Sequence, residues 1–449
     1  MALGAPGTDT HGMEMLAELV PPLEHEEALV QADSCLECGG PYAPAPCVAA
    51  CPAGIDVPGF VGAIANGDPE GAARLILADN LLGGTCARVC PVETLCEGAC
   101  VLAHEGREPI AIGRLQRYAT DIAFERGVRL ATPRRSSGRR VAVLGAGPAG
   151  LACAGELALL GHEVTVYDAR SEIGGLVRFA IAPYRQLRDP LPAEAVLLEG
   201  LGVRFELGHA IESPSALRAL EEAHDAYVLA VGLGADLDVR YPGDSLDGVW
   251  NSLPFIEAIK TERAPEVGAR VAVIGGGNTA IDITREALRL GAREVTLVYR
   301  RTAAEMPAYP HEVEEARDEG VQFRWLTVPV RFLGEGRLSG IECVEMRLGK
   351  ADASGRPRPE PVLGSEFVLP ADTAIKALGQ EPRAELLGWI DGLTWGSGRI
   401  DVDPETGQTP NEHWFAAGDA VNGGATVVEA VGEAKRAARG VDAFLGGLT

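Results

Sequence analysis

The chain has 449 residues, 46% hydrophobic and 23% charged, with a formal net charge of −24. That length accommodates two to four domains with substantial cores. The acidic balance speaks against nucleic acid and anionic membrane surfaces as partners, since both require cationic protein surface. No apolar run approaches the ~20 residues of a membrane span. The opening MALGAPGTDTHGMEM lacks the basic and apolar regions of a signal peptide. A cytoplasmic protein is therefore expected, in which clustered cysteines bind metal instead of pairing as disulfides. Lysine is scarce, 4 against 36 arginines, and the sequence alone offers no functional reason for it.

In chain order, residues 1–20 read as a loose N-terminus and 21–130 as a helical domain. One helix is expected from Asp68 to Asp79, with Ala72, Leu75, Ile76 and Ala78 as its apolar stripe, and another from Ile112 to Arg126. The polar segment ATPRRSSGR, residues 131–139, reads as a linker. The pattern then changes. Val141–Leu144 is an apolar strand, followed by a glycine turn, an Ala/Leu-rich helix over 149–160 and a strand at Val164–Tyr167, which together make a βαβ unit. A second unit begins at Val271–Ile274, with a helix over 279–290 and a strand at Val295–Tyr299. Strand-like runs near 226–231 and 372–378 are expected to complete the first sheet around the second unit. The expected organisation is thus 131–250 and 372–449 as two parts of one dinucleotide-binding domain, with 251–371 as a second inserted into it.

Eight of the ten cysteines lie between residues 35 and 100, as Cys35-x2-Cys38-x8-Cys47-x3-Cys51 and Cys86-x3-Cys90-x5-Cys96-x3-Cys100, with Pro52 and Pro91 after Cys51 and Cys90. Tight thiolate spacing with Cys-Pro endings is how chains wrap iron–sulfur clusters, and the number suits two [4Fe–4S] clusters. Two four-cysteine zinc sites would use the same eight thiolates, but zinc has no redox role to play beside nucleotide-binding motifs. Cys153 and Cys343 read as packing residues.

The first nucleotide motif is Gly145-Ala146-Gly147-Pro148-Ala149-Gly150, between a strand and a helix, with Asp168 ending the next strand. Its glycines let backbone approach a pyrophosphate at a helix N-terminus, and the acid accepts hydrogen bonds from a ribose. This acid-ended site suits FAD, and Gly174 and Gly175 are assigned to it. So is Phe415-Ala416-Ala417-Gly418-Asp419, with the helix opening at Thr426-Val427, whose N-terminus favours negative charge on a reduced flavin. The second motif is Gly275-Gly276-Gly277-Asn278-Thr279-Ala280, and its following strand ends in Tyr299-Arg300-Arg301. Arginine there accommodates a 2′-phosphate, which favours NADPH over NADH; the alternative for Arg300 and Arg301 is a solvated loop. No catalytic triad motif or acid/base pair stands out, as fits chemistry carried by cofactors.

The segments CLEC, APCVAACP, CARVCPVETLCEGAC, IAIGRLQRYATD, GAGPAG, GGGNTAID, YRR and FAAGDAV resemble the flavin and iron–sulfur half of dihydropyrimidine dehydrogenase, especially its separate bacterial small subunit. They also resemble the small subunit of NADPH-dependent glutamate synthase. The match runs from about Leu23 onward. The resemblance implies an α/β protein: a helical iron–sulfur domain followed by two Rossmann-like domains, the FAD domain split and the NADPH domain inserted. It also implies an interleaved ligand set. One cluster would take Cys35, Cys38, Cys47 and Cys100; the other would take Cys51, Cys90, Cys96 and Gln116, with Cys86 the alternative to Gln116. Two departures stand out. The family usually has four residues where eight separate Cys38 and Cys47 here, and bacterial pyrimidine subunits are often NADH-linked, unlike the Arg300-Arg301 pattern.

The implied function is electron input, from NADPH through FAD and two clusters to a partner in a hetero-oligomer. The partner would be an FMN-containing catalytic subunit that reduces uracil or thymine. The alternatives are a glutamate synthase small subunit, a ferredoxin-linked NADPH oxidoreductase with a ferredoxin-like acceptor, and a structural or regulatory module without redox work.

Overall fold

In the computed structural model, which describes residues 18–128, 133–187, 189–261, 264–351 and 355–446, the N-terminal helices start where short-range chemistry dictates. Asp56 accepts from the Gly59 N–H at 3.1 Å at the head of helix Val57–Ala65. Asp68 does the same for Gly71 at 2.8 Å, with Pro69 opening helix Pro69–Asp79. Both are aspartate N-caps, which satisfy otherwise orphaned donors. The two helices pack through Phe60, Val61, Ile64, Ala72, Ala73 and Ile76, all buried. Leu75 and Ala78, expected in the stripe, are exposed, Leu75 by 39%, and Ala73 and Leu77 are buried in their stead. The contact face follows Ala72, Ala73, Ile76 and Leu77, and at about 100° per residue Leu75 falls on its flank. Helix Ile112–Glu125 packs on helices Pro69–Asp79 and Gly83–Val89.

The first sheet holds β1 (Arg140–Leu144), β2 (Glu163–Asp168), β3 (Arg204–Leu207) and β4 (Ala226–Leu229). Its fifth strand, Trp414–Ala416, joins the free edge of β4, and all pairings are parallel. Helix Pro148–Leu159 follows β1, and the long helix Val427–Phe444 packs beside it. One apolar core runs from the N-terminal helices across one face of this sheet to that C-terminal helix.

The second sheet holds β5 (Val249–Asn251), β6 (Arg270–Ile274), β7 (Glu294–Val298) and β8 (Gln322–Arg324). Four antiparallel strands follow: β9 (Thr327–Glu335), β10 (Arg337–Ala351), β11 (Pro357–Pro361) and β12 (Phe367–Pro370). The next strand, β13 (Thr373–Lys376), pairs in parallel with β5 and β6. The run at 372–378, expected to complete the first sheet, therefore belongs to the second. It lies on the sheet's inside, and all four of its residues are buried. The short hairpin β14 (Trp395–Gly396) and β15 (Arg399–Ile400) precedes the last strand of the first sheet, β16 (Trp414–Ala416).

The chain divides into two compact units. One takes residues 19–181, 189–234 and 382–446; the other takes Glu18, Ala182–Leu187 and 235–381. In the latter, the short segment is held by Tyr184, whose buried hydroxyl donates to Asp282 at 2.5 Å. No described helix is long and apolar enough to cross a membrane.

Candidate functional site

The cysteines form two adjoining groups. Cys35, Cys38, Cys47 and Cys100 line one cavity, with apolar walls that include Val57, Val61 and Ile110. Burial raises the Cys35 thiol pKa, and the nearby Cys38 and Cys100 add to the effect. Burial likewise pushes Cys47 up to about 11, with Cys35 and Cys100 beside it. The second group is Cys51, Cys86, Cys90 and Cys96. Cys90 is pushed up first by its hydrogen bond with Cys86, then by burial and by Cys96 and Cys51. Burial is the main cause for Cys96, with Cys51 and Cys47 near enough to contribute. Thiols this crowded and desolvated hold their protons unless a cation takes the thiolates, so the donor set suits soft metals by its chemistry, while among the described residues no three of these side chains already converge as metal ligands. Gln116 is buried on helix Ile112–Glu125, and its Nε2 donates to the Gly83 carbonyl at 2.7 Å. Gly83 begins the helix that carries Cys86, so Gln116 and Cys86 both attach to one short element. In the lengthened loop between Cys38 and Cys47, Gly40 and Ala43 form a bridge with Tyr42 fully exposed at its tip.

In the first nucleotide motif, the Gly145 N–H donates to the Tyr167 carbonyl of β2 at 2.8 Å. Gly145 has φ +108°, and a Cβ there would stand 2.2 Å from the Ala230 carbonyl oxygen, so only glycine fits. The loop enters helix Pro148–Leu159. Asp168 accepts from the Ala146 N–H at 2.7 Å, tying the end of β2 to the loop. The Gly174 N–H donates to the Ala146 carbonyl at 2.7 Å. Gly175 lies against Gly147, and Gly418 lies against Ala149. The structure thus gathers Gly145, Gly147, Pro148, Ala149, Gly150, Asp168, Gly174, Gly175 and Gly418 around one loop. Asp419 adjoins them; burial raises its carboxyl pKa, and it accepts from the Ala425 N–H at 3.2 Å. Thr426 caps the helix starting at Val427 through a reciprocal capping box with Glu429.

The second motif repeats the geometry in the other unit. The Gly275 N–H donates to the Val298 carbonyl at 3.1 Å, and a Cβ at Gly275 would stand 2.2 Å from the Ala377 carbonyl oxygen. Gly277 faces open space, and Asn278, Thr279 and Ala280 begin helix Asn278–Arg289. Asn278 Oδ1 accepts from the Tyr309 N–H at 3.0 Å. The arginine pair divides: Arg300 is exposed, while Arg301 is buried and its Nε donates to the Pro357 carbonyl at 2.9 Å.

Two contacts of the first unit have no motif of their own. Glu433 accepts from the Gly418 N–H at 2.8 Å and so fixes the Gly418 turn. Lys435, farther along the same helix, donates to the Ala53 and Asp79 carbonyls at 2.8 and 2.5 Å.

Residues 13–128 match the family model described as dihydropyrimidine dehydrogenase domain II, 4Fe-4S cluster, and residues 139–434 match the pyridine nucleotide-disulphide oxidoreductase model. The chain is 38% identical over 450 aligned residues to a glutamate synthase [NADPH] small chain of Halomonas elongata, covering 96% of this chain and 94% of that one. It is also 38% identical to the NADP(+)-dependent formate dehydrogenase subunit beta of Moorella thermoacetica, over 90% of this chain and 60% of that one. Among solved structures, Mycobacterium tuberculosis FprA in complex with NADPH superposes with a TM-score of 0.56 at 20% identity, covering 69% of this chain and 85% of that one, which is a likeness of fold.

Proposed function

The chain belongs to the pyridine nucleotide-disulphide oxidoreductase family, and from that premise we propose that it is the NADPH-oxidising, electron-input subunit of a hetero-oligomeric enzyme. When bound, FAD takes hydride from NADPH and passes on single electrons, which two [4Fe–4S] clusters carry one at a time.

This chain's residues divide that work. The backbone of Gly145–Gly150 receives the flavin pyrophosphate, and Asp168 accepts from its ribose. The helix N-terminus at Thr426-Val427 favours negative charge near the ring. The Gly275–Ala280 loop receives the nicotinamide dinucleotide. Exposed Arg300 engages the 2′-phosphate, while Arg301, held on the Pro357 carbonyl, orders the loop around it. Cys35, Cys38, Cys47 and Cys100 hold one cluster. Cys51, Cys90 and Cys96 hold the other, with Gln116 as fourth ligand and Cys86 as the alternative.

The observation that carries this reading is helix Val427–Phe444. It begins beside the flavin-type loop and reaches the Cys51 turn two to three turns later. One rigid element thus joins the two redox sites of this unit. Purification tests the reading. A protein with iron, acid-labile sulfide and flavin absorbance, bleached by NADPH in preference to NADH, supports it; a colourless protein refutes it. For the ligand set, Cys86→Ala is expected to keep full iron content and Gln116→Leu to lose one cluster, and the reverse pattern transfers the ligand role to Cys86.

Two partners fit. Gln116 supports an FMN-bearing pyrimidine-reducing subunit, as in the dihydropyrimidine dehydrogenase resemblance. The near full-length match to a glutamate synthase small chain supports a glutamate-forming large subunit. The subunit that co-purifies decides between them: an FMN barrel with uracil reductase activity, or an amidotransferase that makes glutamate.

A further inference from the structure

Lys435 sits at a junction of three elements. It lies on helix Val427–Phe444, and its Nζ donates to the Ala53 carbonyl at 2.8 Å and the Asp79 carbonyl at 2.5 Å. Ala53 lies inside the turn closed by the Gly54 N–H donating to the Cys51 carbonyl at 2.9 Å. Asp79 ends helix Pro69–Asp79, where carbonyls point outward and the helix dipole favours a cation. The Asp79 side chain in turn accepts from the Asp56 N–H at 3.1 Å, which ties the junction to the next helix start. One turn before Lys435, a Cβ at Gly432 would stand 2.5 Å from the Pro52 carbonyl oxygen, so the helix backbone and the Cys-Pro turn are in direct contact. Both of these Lys435 hydrogen bonds go to neutral carbonyls. Burial raises the Glu156 carboxyl pKa, and the Lys435 charge nearby opposes that rise.

We propose that Lys435 is a positioning residue for electron transfer between the flavin and the Cys51 cluster: it fixes the Cys51–Gly54 turn on the C-terminal helix and places a cation beside that cluster. This rests on the function proposed above. In the step concerned, one electron leaves the reduced flavin and one enters the oxidised cluster, and no bond is made or broken. The product carries one more negative charge, and a half-buried cation nearby stabilises it more than the oxidised form. The ammonium also makes the turn an extension of the helix, so the separation of the two sites is set by covalent geometry, at about 1.5 Å per residue from Thr426.

The test compares holoprotein of the wild type, Lys435→Met and Lys435→Arg. Cluster potentials come from EPR-monitored redox titration, and electron arrival from stopped-flow absorbance after mixing with NADPH. In Lys435→Met, one cluster becomes harder to reduce and electron arrival slows by about 10-fold, while flavin reduction by NADPH and iron content stay unchanged. In Lys435→Arg, which keeps the charge, the potential stays near that of the wild type. Amide hydrogen exchange over residues 51–54 speeds up in Lys435→Met. Unmoved potentials and arrival rates in iron-loaded Lys435→Met overturn the role of Lys435 and leave the proposed function standing. Wild-type protein that contains neither iron nor acid-labile sulfide overturns the proposed function itself.

Discussion

The two parallel sheets carry nearly the same glycine turn and differ in what comes after it. In both, the first glycine lies 2.2 Å from a carbonyl across the sheet when given a Cβ, Ala230 in one and Ala377 in the other. The strand that follows ends in Asp168 in the first sheet, and the carboxylate is held on the Ala146 N–H. In the second, the strand is followed by Arg300, whose side chain is exposed. On the proposed function, the turn is the generic part, whose backbone lies against a diphosphate, and the residue at the next strand end is what tells one dinucleotide from another. A second contrast lies outside the sheets: the first unit attaches its C-terminal helix to the cysteine turns, and the second packs its sheet beside an antiparallel layer.

The largest effect is expected from breaking the shared turn one side at a time. Gly145→Ala must move the Ala230 carbonyl or abandon φ +108°, at a cost of about 1–3 kcal/mol in backbone strain before any clash is counted. The purified protein is expected to lack flavin absorbance. Gly275→Ala should keep its flavin and lose NADPH-driven bleaching. Loss of flavin in both variants would show that the two turns do not serve separate dinucleotides.

Arg300→Ala is expected next. Removing a charged partner of a phosphate costs about 1.5–3 kcal/mol, a ~10- to 100-fold rise in the KM for NADPH, with NADH use unchanged. Arg301→Ala should instead lower thermal stability, because its Nε is committed to the Pro357 carbonyl. Equal loss of NADPH and NADH use in Arg300→Ala would refute the phosphate role.

The third test uses pH. Each unit has a fully buried carboxyl whose pKa rises to about 7 by desolvation: Glu194, which accepts from the Thr85 N–H and hydroxyl, and Glu286, which accepts from the Tyr184 N–H; the half-buried Glu97 of the first unit rises as far. A raised carboxyl keeps its proton in the folded state after the unfolded chain has released its own. Its contribution is therefore fully favourable below pH ~4.5 and is lost as pH rises toward 7. Glu286 Oε2 also has no hydrogen-bond partner among the described residues. Glu286→Gln should stabilise the second unit at pH 8 by up to about 3 kcal/mol in urea unfolding and change little at pH 4.5. Glu194→Gln should gain less, because Glu194 accepts two Thr85 bonds on its two oxygens and glutamine has only one acceptor oxygen to keep them. Equal gains in both would contradict the hydrogen-bond difference between the units.

Much of this was legible in the residues. Both βαβ units begin and end within about two residues of where the apolar runs and glycines place them, because a strand–glycine–helix junction is a local signal. The allegiance of β13 was not legible. A four-residue apolar strand reads the same beside any parallel neighbour, and its partner β5 is only three residues long. Leu75 misled because a helix stripe read from four residues tolerates a rotation that tertiary packing then resolves. The cysteines announced metal by number and spacing; spacing alone does not sort them, the family resemblance pairs Cys100 with Cys35, and the fold brings those two to one cavity. Lys435 had no signature at all, since its partners are backbone carbonyls nearly 400 residues earlier.

The strand at Trp414–Ala416 completes a sheet whose other four strands end by Leu229, and helix Val427–Phe444 covers that sheet and the Cys51 turn. During synthesis on the ribosome, the unit built from 235–381 has all its strands before that closing segment leaves the exit tunnel. The flavin-side unit does not, and parallel pairing across so long a loop forms late. On the proposed function, flavin insertion then follows translation, and a chain stopped near residue 400 is expected to carry a complete 235–381 sheet beside an unfinished first sheet, the form that quality-control proteases would meet first.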